Sequence, residues 1–115
     1  MKRIYRLKKN YQFNYIYRKG KAVGNSLMTV HYASNGNGKL KIGFSIPKKF
    51  GKAVRRNLVK RRLKHAFSLI LPEVDKNFNY IITPKPAADP ASYEDLSNSL
   101  SALLYKCGAL KGDGK

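Results

Sequence analysis

Acidic residues are missing from the first 72 positions of this 115-residue chain, all six standing at or beyond Glu73. The carboxylate cluster that holds Mg²⁺ in metal-dependent phosphodiester hydrolysis therefore cannot be drawn from that region. The later acids stand singly or as the Glu94/Asp95 pair at a helix start, which the helix dipole explains. Cysteine is nearly absent too. Cys107 alone cannot close an internal disulfide, and two histidines far apart in sequence, His31 and His65, offer no zinc-ligand spacing, so the chain suits a reducing compartment. No apolar run approaches the ~18 residues of a membrane span, and MKRIYRLKKNYQF lacks the apolar segment of a signal peptide. We expect a cytoplasmic protein with no membrane partner. A phosphate-cradling loop is also missing, because GNGK at 36–39 lacks the P-loop spacing and follows a hairpin turn. His31 and His65 are the right residue types for metal-free RNA cleavage, but nothing in the sequence brings them together. No catalytic residue is assigned to this chain.

Positive charge is what the sequence has instead. The net charge is +18, and nineteen of the twenty-four Lys and Arg precede residue 73, leaving five cations against six acids in the remainder. Such asymmetry makes a compact domain repel itself, which a polyanionic partner relieves in use. Nucleic acid is the leading candidate and an anionic membrane surface the lesser one. Solubility alone does not require removing every acid from 72 consecutive residues.

Periodicity places these charges on elements. Residues 7–18 carry Tyr11, Phe13, Tyr15 and Tyr17. Their alternation suits a strand, yet Asn10 as N-cap, the Phe13/Tyr17 pair four apart and Gly20 as terminator favour a short helix. Burial tendencies favour core packing over a base-stacking platform for these rings. Residues 27–33 read as a strand with Met28, Val30 and Tyr32 on one face. After the SNGNG turn, residues 39–46 alternate as a half-buried antiparallel strand, with Leu40, Ile42, Phe44 and Ile46 inward and Lys39, Lys41, Gly43 and Ser45 outward. Residues 52–71 form a helix stopped by Pro72. Val59, Leu63, Ala66, Phe67 and Ile70 fill one stripe about 100° wide, and Asn57, Lys60, Arg61, Lys64 and Ser68 fill another. A third strand spans 78–83, PKPAADPA is a loop, and Ser92 caps a last helix with Leu96, Leu100, Leu103, Leu104 and Cys107 along its apolar stripe and Gly108 at its end. The order α-β-β-α-β-α, with room for one extra short strand, predicts a two-layer α/β (α+β) sandwich in one domain over residues 1–115, with 111–115 a disordered tail.

The fourth element, the helix over 52–71, carries the chemistry. Between Lys52 and Lys64, seven of thirteen residues are cations and none is acidic. Ordinary exposed helices mix signs to gain i,i+4 pairs, so this is more than a solvated face. Lys48, Lys49 and Lys52 lie at the strand-to-helix junction, where helix-start N–H groups also favour an anion. With Arg55, Arg56, Asn57, Lys60, Arg61 and Lys64 they predict a continuous phosphate-binding patch.

Three segments together resemble the protein component of bacterial ribonuclease P: LKKNYQFNYIYRKGK, KIGFSIPKKFGKAVRRNLVKRRLKHAF, and YIITPKPAA followed by a capped helix. The likeness covers residues 4–110 in order, and the K-K-x-G-x-A-V-x-R-N core at 48–57, continuing to Lys60 and Arg61, is its most specific part. The resemblance implies a left-handed strand-helix-strand crossover, against the usual hand. It implies that the chain binds a catalytic RNA subunit and precursor tRNA, with no obligatory protein partner. The assembly would remove the 5′ leader by hydrolysing one phosphodiester bond, with RNA-bound Mg²⁺ doing the chemistry and no metal held by protein side chains. Arg56, Asn57, Lys60, Arg61 and Lys64 would face the catalytic RNA. Phe13, Tyr17 and His31 would line a leader-binding cleft between the N-terminal helix, the sheet and the basic helix. Four positions depart from the family pattern: Leu58 for arginine, Pro47 for serine, Lys64 for arginine and His31 for a phenol. Leu58 removes one phosphate contact, Lys64 loses bidentate geometry, and His31 would make leader contact mildly pH-dependent. A structural RNA-binding protein of ribosomal type is the alternative reading. An autonomous nuclease ranks third, and a helix-turn-helix DNA binder last, because no helix and tight turn precede the basic helix.

Overall fold

The computed structural model describes residues 5–110. The tail expected at 111–115 lies outside the described residues. The elements are α1 (Asn10–Lys19), β1 (Lys21–Gly24), β2 (Met28–Ser34), β3 (Ile42–Phe44), α2 (Ala53–Ile70), β4 (Phe78–Pro84) and α3 (Tyr93–Lys106). The extra short strand is β1, paired antiparallel to β2.

The sheet runs β1-β2-β4-β3. β2 and β4 pair antiparallel, whereas β3 and β4 are parallel. This corrects the antiparallel strand expected over 39–46: only Ile42–Phe44 is strand, and β4 stands between it and β2. The reason lies in the connection. An 18-residue helix rises ~27 Å, enough to return the chain to the start of the sheet so that β4 enters in the same direction as β3. Leu40 and Ile42 are buried as the alternation required.

One sheet face packs on α2 and α3. Met28, Val30, Tyr80 and Ile82 meet Val59, Leu63 and Phe67 of α2 and the four leucines of α3 in one apolar cluster. Tyr80 keeps its hydroxyl satisfied by donating to the Asp75 carbonyl at 2.7 Å. The sheet and the α2/α3 layer make the expected sandwich, and α1 adds a partial cover on the opposite face. There Ile16 joins Leu7, Ala33 and Ile81, with Phe13 against them.

Local chemistry sets the helix ends. Lys9, not Asn10, is the N-cap of α1. Asn10 is displaced because the Gln12 side-chain oxygen reaches back to accept from the Lys9 and Lys8 N–H groups at 3.1 and 3.2 Å, starting the helix one residue earlier than an Asn10 cap would. Ser92 caps α3 as expected, its hydroxyl accepting from the Asp95 N–H at 3.0 Å. At the far end of α2 the Lys76 ammonium donates to the Leu71 and Val74 carbonyls, capping the turn that Pro72 interrupts.

Candidate nucleic-acid interface

The strand-to-helix junction is built around Gly51. Lys48–Phe50 is a short 3₁₀ turn anchored by buried Phe50, so its two lysines are thrown outward. Gly51 then takes φ of +148°, a backbone that side-chain-bearing residues rarely adopt. Lys52 caps α2 without a side-chain hydrogen bond and no acid stands in the first turn, leaving the helix start without a side-chain cap.

The six lysine and arginine residues of the helix divide by what they touch. Arg55 pairs with Asp89 at 2.8 Å and also donates to the Asp89 carbonyl. Arg62 donates to the Ala91 carbonyl at 3.3 Å. These two clasp α2 to the β4–α3 loop; the exposed Arg55 pair contributes at most about 1 kcal/mol. Arg56 is turned back, donating to the Gly51 carbonyl at 2.9 Å. Asn57, Lys60, Arg61 and Lys64 occupy the open side, where with Val54 they line a shallow groove of about 520 Å³.

Lys60 and Lys64 also reach a second space. They share a cleft of about 150 Å³ with Arg6, Leu7, Phe13, Ile42, Gly43 and Phe44. Burial first, then the neighbouring charges of Lys60 and Arg6, lowers Lys64 from its ordinary value. An anion seated there relieves both repulsions. Arg6 was not singled out from sequence. It reaches the cleft because the N-terminal segment bridges the exposed edge of β3, Arg6 opposite Ile42, a non-local contact that only the charge of the RLKK run hinted at.

The aromatic residues continue this strip. In the sheet, Gly43, Ile81 and His31 fall in one row across β3, β4 and β2, and α1 lies over it. Phe13 covers Gly43 so closely that a Cβ there would stand 2.6 Å from the ring. One turn on, Tyr17 meets His31 edge-on, with ring centroids 4.9 Å apart and planes at 79°. His31 is half-buried, and that burial lowers its pKa below the usual histidine value, favouring the neutral imidazole. Its Nδ1 is buried without a hydrogen-bond partner among the described residues. Core packing does not account for the tyrosines of α1: Tyr11, Tyr15 and Tyr17 are 67%, 48% and 43% exposed, because Ile16 alone supplies the helix's buried contact. Phe13 is the half-buried exception.

His65 stands on α2, 5.4 Å from the Tyr93 ring, and so lies across the sheet from His31. Among the described residues no three His, Cys, Asp or Glu side chains converge to hold a metal ion, so a directly ligated Mg²⁺ does not fit this donor set. None of the described helices is long and apolar enough to cross a membrane.

Comparison with known proteins gives a consistent result. The family model for ribonuclease P matches residues 1–108. The ribonuclease P protein component of Thermoanaerobacter sp. is 33% identical over 114 residues, covering 99% of this chain and 98% of the relative. That of Symbiobacterium thermophilum is 33% identical over 115 residues, covering 99% and 100%. Among solved structures, the Staphylococcus aureus RNase P protein superimposes with a TM-score of 0.86 at 30% identity over 93% of this chain and 98% of the other. The Thermotoga maritima protein does so at 0.82 and 26% identity, with the same shares covered.

Proposed function

The chain belongs to the ribonuclease P protein family, and from that membership we propose that it is a cytoplasmic single-domain subunit that binds the catalytic RNA and the single-stranded 5′ leader of precursor tRNA. The observation that carries this is the continuity of the strip. Lys60 and Lys64 belong both to the open basic groove of α2 and to the cleft that Phe13 walls, and Tyr17 with His31 extends it across the sheet. Cations neutralise phosphates and ring faces accept unstacked bases, the two contacts a single strand needs. Lys48, Lys49, Lys52, Asn57 and Arg61 take the RNA subunit on the outer side of α2, and Arg55 and Arg56 hold that surface in place through Asp89 and Gly51. The protein's contribution is positioning and charge neutralisation. In this reading the hydrolysis that frees the mature 5′ end belongs to the RNA and the Mg²⁺ it binds.

Reconstitution tests it. The purified protein alone leaves precursor tRNA intact, while addition of the ribonuclease P RNA gives Mg²⁺-dependent 5′ cleavage at moderate salt, more efficient than with the RNA alone. Tyr17→Ala and Phe13→Ala weaken binding of leader-bearing substrate and leave mature tRNA unaffected. Cleavage by the protein alone defeats the proposal, and failure to bind or assist the RNA transfers support to a structural protein of ribosomal type.

A further inference from the structure

Tyr11 and Tyr15 take no part in the strip just described. On a helix advancing 100° per residue they lie on the flank of Ile16 opposite Phe13 and Tyr17. Both are exposed, with Tyr11 among the most exposed large side chains of the described residues. They do not stand over empty surface. Together with Gln12 of α1, Asn79 of β4, and Asn37 and Lys39 of the β2–β3 connection, they line a cavity of about 340 Å³.

The polar wall of this cavity is organised. Asn35 fixes the connection by accepting from the Asn37 and Gly38 N–H groups at 3.1 Å and donating to the Lys76 carbonyl at 2.9 Å. Gln12 spends its side-chain oxygen on the start of α1, Asn37 on the Lys39 N–H, and Asn79 on the Lys41 N–H and the Asn35 amide. The oxygens are thus committed to the fold, and the amide nitrogens of Gln12, Asn37 and Asn79 carry no hydrogen bond among the described residues. The cavity offers donors and positive charge, no carboxylate, and two phenol faces one turn apart. A second copy of this chain would bring like charge against it, the net charge being +18. An acceptor-rich, flat, anionic unit fits.

We infer that Tyr11 and Tyr15, with the amides of Gln12, Asn37 and Asn79 and the charge of Lys39, form a second binding site for an unstacked nucleotide of single-stranded RNA, separate from the strip of Phe13, Tyr17 and His31. The inference rests on the chain being an RNA-binding subunit. The RNA segment can come from leader upstream of the first site or from a single-stranded loop of the RNA subunit, and the test separates the two.

Fluorescence-anisotropy titration of the full chain with labelled oligouridylate and oligoadenylate reads the site directly. Stacking on one ring predicts that Tyr11→Ala and Tyr15→Ala each weaken binding by about fivefold or more, whereas Tyr11→Phe and Tyr15→Phe, which keep the ring, stay close to the parent. Because both side chains are exposed, the melting temperature stays unchanged. In the holoenzyme, a loss confined to precursors with long leaders assigns the segment to the leader; a loss in affinity for the RNA subunit assigns it there. Parent-like binding by both alanine variants overturns the inference, as does an equal loss in the phenylalanine variants or no oligonucleotide binding by the parent. If those results accompany normal reconstituted cleavage and a weakened Arg61→Ala variant, only the second site falls and the proposed function stands.

Discussion

Arg56 and Arg61 belong to the same cationic run and look equivalent in sequence, but their surroundings give them different work. Arg61 is exposed on the open groove, so Arg61→Ala is expected to lower the log–log salt slope of RNA binding by about one unit and to leave stability within ~0.5 kcal/mol. Arg56 donates to the Gly51 carbonyl in the strained junction, so Arg56→Ala should instead cost about 1 kcal/mol of stability with a smaller change in slope. Salt-dependent titrations beside denaturant melts separate the two; equal slope losses with unchanged stability would return Arg56 to the RNA surface. Spacing along a helix predicts which face a guanidinium leaves from, not the carbonyl that captures it. The same limit applies to Arg55, whose partner Asp89 lies 34 positions away.

At the scale of elements, the decisive contact is the Phe13 ring of α1 against Gly43 of β3. Gly43 looked like an outward strand position, and a glycine inside a strand is the sequence mark of a close approach by another element. That element is α1. Gly43→Ala would set a methyl 2.6 Å from the Phe13 ring and 3.0 Å from Leu7, forcing the ring outward. The expected result is a loss of about 1–3 kcal/mol together with weaker leader binding, because Phe13 walls the cleft it would leave. A double-mutant cycle checks the cause: in a Phe13→Ala background most of the stability loss should vanish. A loss of the same size in both backgrounds would place the strain elsewhere. Helix α1 itself was legible from its terminator and its i,i+4 aromatic pair. Its docking was not, because the row Gly43, Ile81 and His31 comes from three strands paired only in the folded sheet.

For the whole molecule the governing quantity is unbalanced charge. The described residues contain one salt bridge, Arg55 to Asp89, against a net charge of +18 for the chain. Added monovalent salt should therefore stabilise the isolated protein by screening self-repulsion, while weakening its grip on RNA. A melt in rising KCl should show Tm climbing by ~4 °C or more for each kcal/mol of repulsion removed, and RNA affinity falling over the same series. A Tm that falls with salt would mean that attractive ion pairs dominate. The direction was readable from the charge count, since screening depends on net charge more than on which residues carry it.

Properties of the local chain were determined by the sequence alone: the charge bias, the apolar stripes of α2 and α3, the Ser92 cap, the strands at 27–33 and 78–83, and the residue pattern shared with ribonuclease P proteins. Each depends on neighbours within a few turns, or on composition, and survives without knowledge of contacts. Tertiary structure alone decided the parallel pairing of β3, the capture of Arg55 and Arg62, the arrival of Arg6 beside Lys64, and the exposure of the three tyrosines of α1 while Phe13 packs against the sheet. These outcomes depend on which distant segments pack together, and packing is set by burying apolar area across the whole chain, a quantity that no local window contains.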